Sequence, residues 1–155
     1  MRRQLDFKLI LPKTIDNTYS GNIISKVFFY IIILFTIVRS LIHVLSPDGG
    51  SMSIATIPLN TYSAAATNTI IYMFGVWGLS QLMMGIIYLI VVIKYKSFLP
   101  LMYIFVTCEY GIRLIIGHMK PIVTMHTAPG TVGNYILVPL GIIMFLLSIQ
   151  KNTVS

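Results

Sequence analysis

The sequence predicts an all-α fold, a polytopic membrane protein built as an antiparallel bundle of four transmembrane helices. Three observations predict it. Of 155 residues, 56% are hydrophobic and only 10% charged, and the mean hydropathy is +0.86. Soluble domains carry about 25% charged residues, so an aqueous core of this size cannot hide so much apolar surface. Four apolar runs approach the roughly 20 residues needed to span a bilayer. The basic residues alternate in density along the connections between those runs, as a multi-pass topology requires.

The elements follow in order. Residues 1–22 form a polar N-terminal tail, expected on the cytoplasmic side. Its apolar patch, Leu9-Ile10-Leu11-Pro12, either lies in the membrane interface or belongs to an unstructured segment. The first span, about 23–45, follows that polar tail and is too long for a signal-peptide core, so it reads as a signal anchor. The outer loop opens with the turn Ser46-Pro47-Asp48-Gly49-Gly50. Next comes Ile54–Leu59, too short to span, which either caps the bundle, rests on the membrane or is simple loop. The second span, about 69–93, carries Gly75, Gly78 and Gly85; small residues let helices approach closely in lipid. The connection Lys94-Tyr95-Lys96-Ser97 is so short that the third span, about 98–118, must return as an antiparallel hairpin. Pro121, Pro129 and Gly130 break any helix before the fourth span, about 132–149, with Thr131 as the expected N-cap. Residues 150–155 form a second cytoplasmic tail.

Charge sets the orientation. Arg2, Arg3, Lys8, Lys13, Lys26, Lys94, Lys96 and Lys151 fall on one side, and Lys120 alone on the other. The positive-inside rule makes the first side cytoplasmic. The net charge of +7 is therefore a topology and lipid-surface signal. No basic cluster interleaved with stacking aromatics points to nucleic acid. Expected partners are membrane lipids, with a homo-oligomer or a partner membrane subunit as the protein-level alternatives.

The candidate site comes from charges inside the spans. A charge at bilayer depth costs roughly 3 kcal/mol on insertion scales, so it is normally paired and often functional. At 1.5 Å per residue, Arg39 lies about 20 Å above Lys26, and Glu109 and Arg113 about 16 and 22 Å above Phe98. All three reach the outer half of a core about 30 Å thick. Glu109 and Arg113 are spaced i,i+4 and can pair on one face; Arg39 and His43 share that spacing. If the two faces meet, Arg39 brackets Glu109, leaving a positive excess that suits an anionic ligand or a neutral one with acceptor oxygens, so the chain is expected to bind or pass a small anionic or lipid-derived ligand. Tyr72 and Asn134, with Asn68 and Tyr135, stand at similar depth, and Gln81 lies near the middle of its span. The predicted ligand-binding set is Arg39, His43, Glu109, Arg113, Asn134 and Tyr72. A structural role, in which the buried ion pair only fixes helix packing in an accessory subunit, is the alternative.

Other chemistry finds little footing. HExxH, GxSxG, CxxC and phosphate-loop motifs are missing, so the reading leans away from an enzyme and expects no cofactor. His43, His118 and His126 fit no zinc spacing. The single cysteine, Cys108, reads as a small packing residue. Trp77 and the tyrosines read as packing or interface anchors. The four spans, the turn Pro47-Asp48-Gly49-Gly50, the Glu109-x-x-x-Arg113 pair and the closing Asn134…Pro139-Leu140 helix together resemble small DoxX-like integral membrane proteins, across about residues 23–149. That resemblance implies a four-helix bundle in a prokaryotic inner membrane and assigns no activity.

Overall fold

The computed structural model describes residues 3–152. It contains four long helices: α1 (Ile23–Leu45), α2 (Ala64–Lys94), α3 (Leu99–Met119) and α4 (Pro129–Ser148). All four are long and apolar enough to cross a membrane. Two short strands, β1 (Arg3–Leu5) and β2 (Gln150–Asn152), pair antiparallel.

Capping explains the helix starts. The Asn22 side chain accepts from the Ile24 N–H and fixes the start of α1 where the apolar run begins. The α2 helix starts five residues before the expected position. Ser63 caps it by accepting from Ala66, and the alanines that follow are strong helix formers. Its 31 residues extend about 46 Å, longer than a hydrocarbon core. The α4 helix also starts early, at Pro129 with Ala128 as its N-cap, not at Thr131. Proline interrupts a helix interior but suits the first turn, where its missing N–H would have no partner.

The packing is uneven. The α1–α2 and α3–α4 pairs approach most closely, α1 touches α4 less, and α2 and α3 scarcely touch beyond the connection that joins them. The hairpin expected there therefore opens. Phe29 of α1 inserts edge-on between Tyr88 of α2 (5.4 Å) and Tyr103 of α3 (5.1 Å) and holds them apart. Around this wedge, Ile32, Ile33, Val91, Val92, Leu99, Met102 and Val106 complete the core at the end of the bundle nearest the α2–α3 connection. On α4 only Gly141 and Ser148 are buried, so its apolar surface, Ile143 included, faces outward, as do Leu34 of α1 and Ile112 of α3. Cys108 is also exposed: α3 turns it away from the core and it does not pack internally.

The α1–α2 seam is tight because two glycines line it. A Cβ on Gly78 would stand 2.5 Å from the His43 Cβ, and one on Gly85 would stand 2.9 Å from Ile37 Cγ1. These glycines pack within the chain, as their spacing on one face of α2 suggests.

The described part of the N-terminal tail is not free. Beyond the β1–β2 pairing, the Asp6 N–H donates to the Ile149 carbonyl at 2.9 Å. Asp16 and Ser97 exchange hydrogen bonds: Asp16 N–H donates to Ser97 Oγ, and Ser97 Oγ donates to the Asp16 carbonyl, each at 3.0 Å. The Tyr19 hydroxyl bonds Ser25 and the Asn22 carbonyl, and burial pushes its pKa up to about 12. A local reading could not find the contacts to Ser97, Ile149 and β2, whose partners lie up to 149 residues away along the chain.

At the opposite end the loop between α1 and α2 folds over the bundle. The Asp48 carboxylate accepts from the N–H groups of Gly50 (2.9 Å), Met52 (3.1 Å) and Ser53 (2.7 Å). Gly49 and Gly50 adopt φ of +60° and +71°, a region glycine enters without strain. Ile57 and Leu59 are buried, so the apolar stretch Ile54–Leu59 caps the bundle.

Candidate functional site

Where α2 and α3 part, the half of the bundle away from their connection holds an open cavity of about 630 Å³. Arg39 and His43 of α1, Phe74 and Trp77 of α2, Arg113 and His118 of α3, and Asn134 and Tyr135 of α4 all line it. Ile54 and Ala55 from the α1–α2 loop, and Lys120, Thr124 and Thr127 from the α3–α4 loop, form its rim. The two loops are joined above it. Thr56 accepts from the Met125 N–H at 2.8 Å, and its hydroxyl donates to the His126 carbonyl at 2.7 Å.

At the centre stands the Trp77 indole. The Arg39 guanidinium lies 5.3 Å from its ring and the Arg113 guanidinium 4.9 Å, so both make cation–π contacts with one side chain. Arg39 also lies over Phe35 at 5.6 Å and Arg113 over Tyr110 at 5.1 Å. Arg39 Nη2 donates to Gln81 Oε1 at 3.2 Å, whereas its Nε is buried without a hydrogen-bond partner. Arg113 pairs with Glu109 on the same helix.

This arrangement changes the site expected from spacing. Arg39 does not form an ion pair with Glu109; it turns to Gln81 and Trp77 on α2, the helix against which α1 packs most closely. Glu109 sits behind Arg113 and outside the cavity lining. No acidic side chain lines the cavity among the described residues. The lining is therefore cationic, with Glu109 offsetting one arginine.

His43 is only 3% exposed. Its Nδ1 donates to the Gly49 carbonyl at 2.8 Å, and its ring packs 4.8 Å from Trp77 and 5.7 Å from Phe74. Gly50 and Gly78 make room for it, since a Cβ at Gly50 would come 2.8 Å from its Nδ1. His43 therefore ties the loop to the arginine layer. His118 donates through Nδ1 to the Leu114 carbonyl at 2.7 Å, which leaves Nε2 to accept from the Tyr135 hydroxyl at 3.3 Å.

Of the six predicted residues, Arg39, His43, Arg113 and Asn134 line one cavity, and Glu109 supports it from behind. Tyr72 does not join them. It is 69% exposed on the outer surface of α2. Trp77 is the residue missing from the prediction. It precedes Gln81 by four positions and so shares its face, the one signal that could have moved it from anchor to site.

Comparison with family models, with curated proteins and with solved structures returns no match for this chain.

Proposed function

We propose that this chain is a multi-pass membrane protein that binds or passes a small anionic or lipid-derived ligand between the outer halves of its helix pairs. The observation that carries this reading is the pair of guanidiniums on a single indole at the wall of a cavity without acidic lining. Planar, permanently charged donors of this kind recognise oxyanions. The basic residues clustered at the far end favour cytoplasmic termini and an outward-facing cavity. The DoxX-like resemblance favours a prokaryotic inner membrane, with lipids around the bundle and a second copy or another subunit as protein partner.

A structural accessory role is the second reading, favoured by the way Trp77 links α1, α2 and α3 through the two arginines. Against it, the ion pair lies within α3 and locks no helix to another. Thermal unfolding in neutral detergent separates the two. A ligand that binds only the folded state raises the midpoint with concentration. Phosphatidylglycerol or oleate should raise it and phosphatidylcholine should not, and Arg39→Gln should abolish the rise. Equal midpoints with all three amphiphiles would favour the structural role.

A further inference from the structure

We infer that the ligand is a phosphate monoester borne on an apolar chain, an acidic lipid headgroup that enters the cavity from its rim. This rests on the ligand-binding reading above. The charge points to the monoester. Arg39, Arg113 and Lys120 line the cavity, and Glu109 offsets only Arg113. A phosphate monoester carries about −1.5 to −2 at pH 7 and balances the remainder, whereas a carboxylate or a phosphodiester carries about one charge.

Free donors point to the same chemistry. Gln81 occupies Nη2 of Arg39 and its Nε is buried, closed to the cavity, so Nη1 is the Arg39 nitrogen left for a ligand. Arg113 likewise has Nη2 engaged, by Glu109, and the nitrogens the two arginines keep can share the oxygens of one phosphate. Opposite it, Gly130 and Thr131 in the first turn of α4 line the cavity, and no side chain caps that helix start. The Thr131 N–H is taken by the Ala128 carbonyl at 2.9 Å and Pro129 has none, so the Gly130 N–H is the one that adds to an anion site already holding two arginines.

The apolar chain follows from the remaining wall. Ile54, Phe74, Leu114, Ile116 and Ile122 line the cavity beside the charges. Ile116 and Ile122 are still 50% and 66% exposed, so the cavity is not sealed and its apolar wall runs on to the surface where acyl chains would lie. A free phosphate ion would leave that wall unused.

Trp77 is the only tryptophan in the chain and touches both arginines, so its emission reports this site directly. The protein in phosphatidylcholine nanodiscs is titrated with phosphatidic acid, phosphatidylglycerol, oleate and inorganic phosphate. Phosphatidic acid should change Trp77 emission saturably, with a midpoint about tenfold below those of phosphatidylglycerol and oleate, as one additional charge-assisted contact predicts. Inorganic phosphate should produce little change. Lys120 is exposed at the rim, so Lys120→Gln should leave the fold intact and weaken phosphatidic acid about fivefold, with a smaller loss for the singly charged oleate. Equal midpoints for phosphatidic acid and oleate would overturn the monoester while leaving an anion site. A response to inorganic phosphate as strong as that to phosphatidic acid would overturn the lipid source. No response to any of the four would overturn both this inference and the ligand-binding reading.

Discussion

Replacing Gly78 with alanine tests the seam on which the arginine layer is built. The added Cβ would stand 2.5 Å from the His43 Cβ, 3.2 Å from the Ser40 carbonyl oxygen and 3.3 Å from the His43 carbonyl carbon. Apolar contacts settle near 3.5–4.0 Å, so α1 must move by about 1 Å. Two of the three atoms are backbone and cannot rotate away. Overpacking of this kind costs about 1–3 kcal/mol, against a helix-propensity gain of up to about 1 kcal/mol from glycine to alanine. The net expectation is about 1–2 kcal/mol of destabilisation, together with a change in Trp77 emission, because His43 packs on that ring. Gly85→Ala should cost less, since its nearest neighbour is the Ile37 side chain. Gly111→Ala meets nothing within 4 Å and should be neutral or slightly stabilising. Denaturation in mixed micelles, followed by circular dichroism, orders the three variants. If Gly78→Ala is as stable as Gly111→Ala, the close α1–α2 approach is wrong.

Other expectations concern the loop, the topology and the inner core. Burial pushes the Asp48 carboxyl up, but hydrogen bonds from Ser53, Gly50 and Met52 outweigh it and bring the pKa down to about 2. With the folded pKa below the unfolded one, the loop is stabilised above about pH 4 and loses that stabilisation as pH falls towards 2. Asp48→Ala should remove the acid dependence and cost about 1–2 kcal/mol, both visible in melting curves from pH 2 to 6. In a Cys108→Ser background, Asn60→Cys should react with an impermeant maleimide on intact cells; reaction only after permeabilisation would reverse the proposed orientation. Tyr103→Phe removes the hydroxyl that donates to the Ser25 carbonyl and should destabilise the bundle by about 1 kcal/mol without altering phosphatidic acid binding.

The parts of the fold legible in the sequence are those fixed by neighbours along the chain. Asn22 and the Pro47 turn bound α1 on local chemistry, and the bounds of α1 and α3 were accessible within a residue. The α4 start was obscured because Pro129 reads equally as a breaker and as a first-turn residue. The tail contacts with Ile149 and Ser97 have no local signature at all. The site was legible on α1 and α3, where Arg39 on one and the Glu109–Arg113 pair on the other mark each face. It was less so on α2, which is apolar on nearly every side and gives periodicity little to report. Tyr72 and Trp77 are five residues apart, about 140° around the helix, so only one of them could face the arginines. The partner of Arg39 was missed for the same reason: the face of α2 that meets α1 is set by Gly78 and Gly85, and Gln81 lies between them.

Native mass spectrometry of the protein released gently from membranes tests most directly whether the arginine layer holds a ligand. The wild-type chain should carry a phosphate-bearing lipid that survives mild activation, and Arg39→Gln/Arg113→Gln should appear bare at the same activation energy while retaining its circular dichroism. Identical lipid adducts on the wild-type and doubly substituted proteins would contradict the account.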